Sequence, residues 1–302
     1  MSFVSQLALA GRVVRAPFFT ASIVPVLVGT AVAWHYAKLF DATLFLLTLI
    51  GMIAIHTGAN VLNDYFDHLS GADEAQTRPL RPFAGGSRAI QDGIVTASTM
   101  LKIGAVALAF GIAIGIYLVW RVGLPLLLIG IGGVFCAYFY TAPPIQLAHR
   151  GLGELAVGMG FGVLPVLGTY YVQAHGFDWR ALLASLPIAL LIAAVLWVNE
   201  FPDLESDAQV GKNHLVVRLG KQRAAIVYAF LILGAFVIMA IAVIVSGSPY
   251  PLLGWLAMPL GIRAIVALQH HVRNGAFVAP ACALTIMMHL TAGVLFALGL
   301  AL

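Results

Sequence analysis

Nine apolar stretches, each about 20 residues long and so able to cross a hydrocarbon core, dominate the chain. They are read at about 18–36, 43–63, 99–120, 123–141, 153–173, 180–199, 224–246, 251–269 and 277–301. A segment in lipid has to satisfy its own backbone hydrogen bonds, so runs of this length dictate helices. The expected fold class is all-α: a polytopic membrane protein of about nine transmembrane helices around a central cavity, with two cytoplasmic cap loops. Only 9% of the 302 residues are charged, where a soluble domain carries roughly a quarter. Arg121 and Gly123 mark a tight turn between the third and fourth runs. Cys136 and Cys282 lie far apart inside apolar runs and read as small buried residues, not as a disulfide or metal framework. No small-residue cleavage site follows the first run, which reads as a retained span behind an amphipathic lead-in.

The net charge of +4 is spread over short loops and forms no basic run, which excludes nucleic acid as a partner. With the N-terminus inside, the cytoplasmic loops receive Arg12, Arg15, Arg78, Arg81, Arg88, Lys102, Arg150, Lys212, Arg218, Lys221, Arg223 and Arg273. The other side receives Lys38, Arg121 and Arg180, while Arg263 falls within a span. Basic residues collect on the cytoplasmic side of membrane proteins. The bias therefore predicts an inner-membrane protein with its N-terminus in the cytoplasm and its C-terminus outside.

Acid is distributed just as unevenly. Nine of the twelve Asp and Glu residues lie in two stretches and their trailing loops, at the ends of the second and sixth runs. The first is Asn60-Val-Leu-Asn63-Asp64-Tyr-Phe-Asp67, followed by Asp73, Glu74 and Asp92; the second is Asn199-Glu200-Phe-Pro-Asp203-Leu-Glu205-Ser-Asp207. Asn60, Asp64 and Asp67 stand at i, i+4 and i+7, and Asn199, Asp203 and Asp207 at i, i+4 and i+8, so each set is expected on one helical face. A lone Asp in a loop is usually just a solvated helix end. Two matched sets on one side of the membrane point instead to a site. Carboxylates brought this close repel by about 4 kcal/mol per pair at intermediate dielectric, so a cation belongs between them. Oxygen-rich clusters suit Mg²⁺ holding a diphosphate.

Other residues of the same loops complement that reading. Arg78, Arg81, Arg88 and Lys212 are candidates for diphosphate oxygens, though membrane anchoring is an equal alternative for each. Lys212, closest to the second set, is the leading one. Asn60, Asn63 and Asn199 can ligate metal, orient a carboxylate or bond a neighbouring helix. Tyr140, ahead of Pro143-Pro144, is placed to line the cavity, stabilising an allylic cation or binding an aromatic ring, or else to sit at the membrane interface. Glu154 reads as a helix N-terminal partner and His56 and His289 as packing residues. Asn60 and Asn199 begin the same pattern four spans apart, which predicts a single domain over 1–302 with a pseudo-repeat, 18–141 and 153–269, plus a ninth helix at 277–301. A cation-coupled transporter is the rival of a different class; it calls for carboxylates near the bilayer midplane on broken helices.

Asn60-x-x-Asn63-Asp64-x-x-Asp67 together with Asp203-x-x-x-Asp207 resembles the paired motifs of the UbiA-type intramembrane prenyltransferases, over nearly the whole chain. Three strings look like the branch that prenylates 1,4-dihydroxy-2-naphthoate in menaquinone synthesis. They are Gly85-Gly86-Ser87-Arg88-Ala-Ile90-Gln91-Asp-Gly93, Tyr140-Thr-Ala-Pro-Pro running to Arg150-Gly-Leu-Gly-Glu154, and Gly211-Lys212-Asn-His-Leu-Val-Val-Arg218-Leu-Gly220. The chain departs from the pattern at Glu200-Phe-Pro202, where relatives often carry Asn and Arg. The resemblance implies a Mg²⁺-dependent transfer of a polyprenyl group from its diphosphate to an aromatic acceptor. A pair of Mg²⁺ ions would be held by Asp64 and Asp67 on one side and by Asp203 and Asp207 on the other. The naphthoate is the expected acceptor, with 4-hydroxybenzoate, homogentisate or a lipid glycerol phosphate as alternatives. Asp67, Asp207 and Glu205 are the alternatives for a base toward the acceptor.

Overall fold

The computed structural model describes residues 3–76, 80–81 and 83–302, with side chains from Ala8 onward; Arg78 lies outside the described residues. Every regular element among these residues is helical. Eight helices are long and apolar enough to cross a membrane: Ala16–Ala37, Ala42–Ser70, Ala97–Val122, Gly153–Ala174, Trp179–Asn199, Leu215–Ser246, Tyr250–Asn274 and Ala279–Ala301. Between the third and fourth of these, Pro125–Phe139 is apolar but only 15 residues long. It makes a ninth helix of about 22 Å, shorter than the run expected at 123–141. The nine are called the first to ninth spans in chain order.

Local chemistry sets many of the ends. Arg15 adopts a left-handed backbone (φ 56) that separates the leader helix Phe3–Val13 from the first span. The carboxylates of Asp41 and Asp178 accept from Leu44 N and Arg180 N and cap the second and sixth spans, and the Thr96 hydroxyl accepts from Thr99 N to cap the third. The second span runs on past its expected end at 63 to Ser70, so Asn60, Asn63, Asp64 and Asp67 share one unbroken helix. The second acidic set behaves differently. Its helix stops at Asn199, Glu200 to Asp203 form a turn, and Asp203 starts the separate short helix Leu204–Gln209. Pro202 lacks an N–H and its ring crowds the carbonyl one turn back, which disfavours continuing the sixth span through it. The expected shared helical face of Asn199, Asp203 and Asp207 is therefore not formed. The seventh span starts earlier than expected, at Leu215, and leaves helical geometry at Gly220 (φ 73, ψ 161).

The core is apolar and lies among the first, sixth, seventh and ninth spans, through Val24, Ile188, Leu191, Ile232, Phe236, Met288 and Phe296. Apolar side chains also cover the exterior, among them Trp120, Leu128, Phe230 and Ile244, each at least 70% exposed. That outward band is what a lipid-facing bundle requires. The fifth span packs tightly on the sixth: a Cβ at Gly162 would lie 2.4 Å from Ala189 Cα. Gly162→Val is expected to force these spans apart at a cost of about 1–3 kcal/mol, read as a lower thermal midpoint in detergent; an unchanged midpoint would contradict the packing.

Candidate functional site

A cavity of about 700 Å³ opens among the first six spans, with a floor of apolar residues such as Ile55, Ile112, Ile129, Phe135 and Phe161. Its polar end carries Asp67, Asp73, Glu200, Asp203, Asp207 and Lys212. The two acidic sets thus meet. Lys212 Nζ lies 3.6 Å from an Asp67 oxygen and 3.8 Å from an Asp207 oxygen, bridging residues 140 positions apart in sequence. The second set reaches the cavity through a turn and a short helix, and the first through the end of the long second span.

Apart from Arg78, the expected residues have definite places. Asn63 Nδ2 donates to Asp67 at 3.0 Å and Asn63 Oδ1 accepts from Arg15 at 3.3 Å. Asn60, Asn63, Tyr140 and Asn199 line the cavity, and the amide oxygen of Asn199 is buried without a partner. Asp64 lies one layer behind the wall: it accepts from Ser87 N at 3.0 Å, and its other oxygen stands 3.7 Å from Arg15. Gly86 covers it so closely that a Cβ there would fall 2.7 Å from Asp64 Oδ1, at a φ of +64 that disfavours any side chain. Asp203 is held from the facing loop by Gly85 N at 3.2 Å and by the Gln76 amide.

Three expectations need correction. Arg88 does not face the cavity; its guanidinium donates to the backbone carbonyls of Asp73 (2.8 Å) and Gln76 (3.2 Å) and so shapes the loop. Glu154 is more than a helix-end partner. Burial hides it, and its Oε1 accepts from Leu215 N, 61 residues away, at 2.7 Å. Glu205 is removed from consideration as a base, because its side chain is 80% exposed and paired with Lys221. Arg15, Asp73, Gln76, Glu200 and His214 join the site without having been singled out for it. Only Asp73 and Glu200 carried a signal, through their place in the acidic stretches.

The electrostatics are those of too much acid in too little water. Burial first, then Asp67 and Asp64, push the Asp73 carboxyl up to about 8. Burial and the neighbouring Asp207 push Asp203 up to about 7. Burial works to raise Asp207 as well, but Lys212 and His214 outweigh it and hold that carboxylate below its ordinary range. Burial would lower the Lys212 ammonium, yet Asp67 and Asp207 overcome this and keep it charged well above its ordinary value. Asp64 Oδ1 and Asp67 Oδ1 are buried without a hydrogen-bond partner. Hard oxygen donors, buried, mutually repelling and partly unpartnered, fit Mg²⁺.

Residues 22–291 match the UbiA prenyltransferase family. The chain is 34% identical over 244 residues to the 1,4-dihydroxy-2-naphthoate octaprenyltransferase of Mycobacterium tuberculosis, covering 80% of each chain. It is 28% identical over 295 residues to the 2-carboxy-1,4-naphthoquinone phytyltransferase of Synechocystis, covering 95% of this chain and 91% of that one. A UbiA homologue from Archaeoglobus fulgidus, solved bound to GPP and Mg²⁺, shares the fold with a TM-score of 0.62 at 14% identity, covering 95% of this chain and 99% of that one. With facing acidic walls above an apolar cavity, and a family match running from the first span to the last, the chain belongs to the UbiA prenyltransferase family.

Proposed function

We propose that the protein transfers a polyprenyl group from polyprenyl diphosphate to 1,4-dihydroxy-2-naphthoate, in menaquinone synthesis, at the cytoplasmic face of the inner membrane. The observation that carries this reading is Lys212 standing within 4 Å of both acidic walls at the mouth of an apolar cavity. Asp67, Asp203 and Asp207, with Asp64 behind Gly86, would hold a pair of Mg²⁺ ions. Bound there, Mg²⁺ supplies Lewis-acid stabilisation of the departing diphosphate. Lys212 binds diphosphate oxygens as a fixed point charge, and Arg15, hydrogen-bonded to Asn63, adds a second positive group on the same wall. Asn60 and Asn199 offer amide groups to the diphosphate from the two sides. The isoprenoid tail lies along the apolar floor, which also keeps water from an allylic cation. Tyr140 presents a ring face to that cation or stacks on the acceptor.

The naphthoate follows from the relatives' names and from the three strings quoted above. The test is product mass analysis with purified protein, geranylgeranyl diphosphate, Mg²⁺ and a panel of aromatic acids. The expected product is the prenylated naphthalenediol that has lost CO₂. EDTA should stop its formation and added Mg²⁺ restore it. A product from 4-hydroxybenzoate alone would overturn the acceptor, and turnover undiminished by EDTA would overturn the metal.

A further inference from the structure

His56, expected only to pack, borders the cavity on the second span, one turn from Asn60 on the side away from Asp64. It is 4% exposed, and its Nδ1 stands 2.8 Å from Ser22 Oγ on the first span. Two phenylalanines frame the imidazole edge to face, with ring centroids 5.6 Å away at Phe19 and 4.5 Å away at Phe161. Phe161 is carried by a π-helical turn, Met159–Val163, that interrupts the fifth span. Such turns are frequent at functional sites. No other residue bordering the cavity, among the described residues, brings a ring nitrogen to it.

Ser22 fixes the tautomer of this ring. A hydroxyl inside a span has to place its proton on an acceptor of the protein. Thr30, Thr48 and Thr57 do so on the carbonyl one turn back. Ser22 makes no such bond, and His56 Nδ1 is its one partner among the described residues. Ser22 therefore donates, Nδ1 accepts, and the ring hydrogen sits on Nε2. Nε2 makes no hydrogen bond among the described residues, in a ring that borders the cavity. A donor left unpaired in apolar surroundings is costly. It calls for a ligand oxygen.

We infer that His56 is a specificity-determining residue whose Nε2–H donates to an oxygen of the aromatic acceptor, the hydroxyl on ring carbon 4 of 1,4-dihydroxy-2-naphthoate. The inference rests on the acceptor reading given above. Few groups in the cavity could take this hydrogen. The isoprenoid tail has no polar atom. The diphosphate belongs to the acidic end, where Asp64 and Asp67 lie two and three turns beyond His56, about 12 to 17 Å along the helix. The acceptor alone can bring an oxygen among apolar side chains at this depth. Its carboxylated carbon has to stand beside C1 of the prenyl group, next to the diphosphate. The carboxylate and the hydroxyl on ring carbon 1 then flank the reacting centre. The hydroxyl on ring carbon 4 is the substituent furthest from that centre, and so the one that reaches back toward His56. Phe161, whose ring also borders the cavity, gives the flat naphthalene an aromatic surface to pack on.

The test compares wild type with His56→Phe, which keeps a flat ring, and with Ser22→Ala/His56→Phe, which leaves no serine hydroxyl stranded. Each is assayed with geranylgeranyl diphosphate, Mg²⁺ and 1,4-dihydroxy-2-naphthoate. The competitor is 1-hydroxy-2-naphthoate, which lacks only the hydroxyl on ring carbon 4. Wild type should bind this competitor about 10- to 100-fold more weakly than the acceptor, because Nε2–H is then left unpaired. Both variants should raise KM for the acceptor by a similar factor and leave the competitor's inhibition constant within about threefold of wild type. The preference for the second hydroxyl then disappears, while KM for the donor stays near wild type. A tie between helices and nothing more would weaken both aromatics together when it is cut. That outcome, or a wild type that binds the two aromatics equally well, overturns the role of His56 and leaves the acceptor reading standing. An increase confined to KM for the donor would place Nε2–H on the diphosphate and also overturn it. A wild type that makes no naphthoate product overturns the acceptor reading and the inference with it.

Discussion

Asp67→Asn is expected to lower kcat by about 10³-fold, a loss of about 4 kcal/mol in transition-state stabilisation, while the protein stays folded. The change is nearly isosteric and removes one charge from the wall that Lys212 faces at 3.6 Å. Asp67 Oδ1 is buried with no partner in the protein, so its loss removes a metal donor and breaks no internal hydrogen bond at that atom. Asp207→Asn should cost a similar factor, because Asp207 makes the matching approach to Lys212 from the other wall. Groups that act as a unit lose their effect together. The double variant should therefore be no slower than the poorer single one by more than a few-fold. Diphosphate release measures the rate, and a thermal midpoint near wild type confirms folding. Glu205→Gln is the control: it lies in the same acidic stretch but is exposed and paired with Lys221, so its rate should stay within twofold of wild type. Full activity in Asp67→Asn would remove the first wall from the metal site.

Much of this architecture is legible from hydropathy alone, because lipid permits few alternatives to a helix once a run reaches the length of the hydrocarbon core. The nine spans fall where the apolar runs do, and errors gather at the ends. The second span overshoots to Ser70 because nothing between Asn63 and Gly71 breaks a helix. The sixth stops at Asn199 because of Pro202, a signal that the even spacing of Asn199, Asp203 and Asp207 masks. The site is legible only in its acids. Asp67 and Asp207 announce themselves through composition, but their convergence on Lys212 comes from tertiary packing. Arg88 shows the limit of reading charge as function. A left-handed backbone at φ 53 accompanies a side chain aimed at two loop carbonyls, and no sequence pattern encodes that. Glu154 is hidden for the same reason, since its partner Leu215 N is 61 residues away.

Removing the cation that joins the walls should have an effect of a different kind. Lys212→Met keeps the length and the apolar stem of the side chain and deletes only the charge. In EDTA the variant should lose about 3 kcal/mol of stability, the scale seen when one member of a buried ion pair is removed and its partners are left uncompensated. Asp67 and Asp207 would face each other across the gap, with Asp203 and Asp73 close behind. Part of that loss will be relieved by protonation, so the deficit should grow as pH rises above the Asp203 and Asp73 values of about 7 and 8, where the acids can no longer hold their protons. Divalent metal then offers a discriminating measurement. Mg²⁺ with inorganic diphosphate should raise the thermal midpoint of Lys212→Met by more than it raises that of wild type, because metal supplies positive charge that wild type already has in part. Turnover should still fall about 100-fold, since a fixed donor to the diphosphate is gone. Equal midpoints for the two proteins in EDTA would mean that the acidic walls do not repel across Lys212. An equal gain on adding Mg²⁺ would mean that metal and ammonium do not serve the same carboxylates.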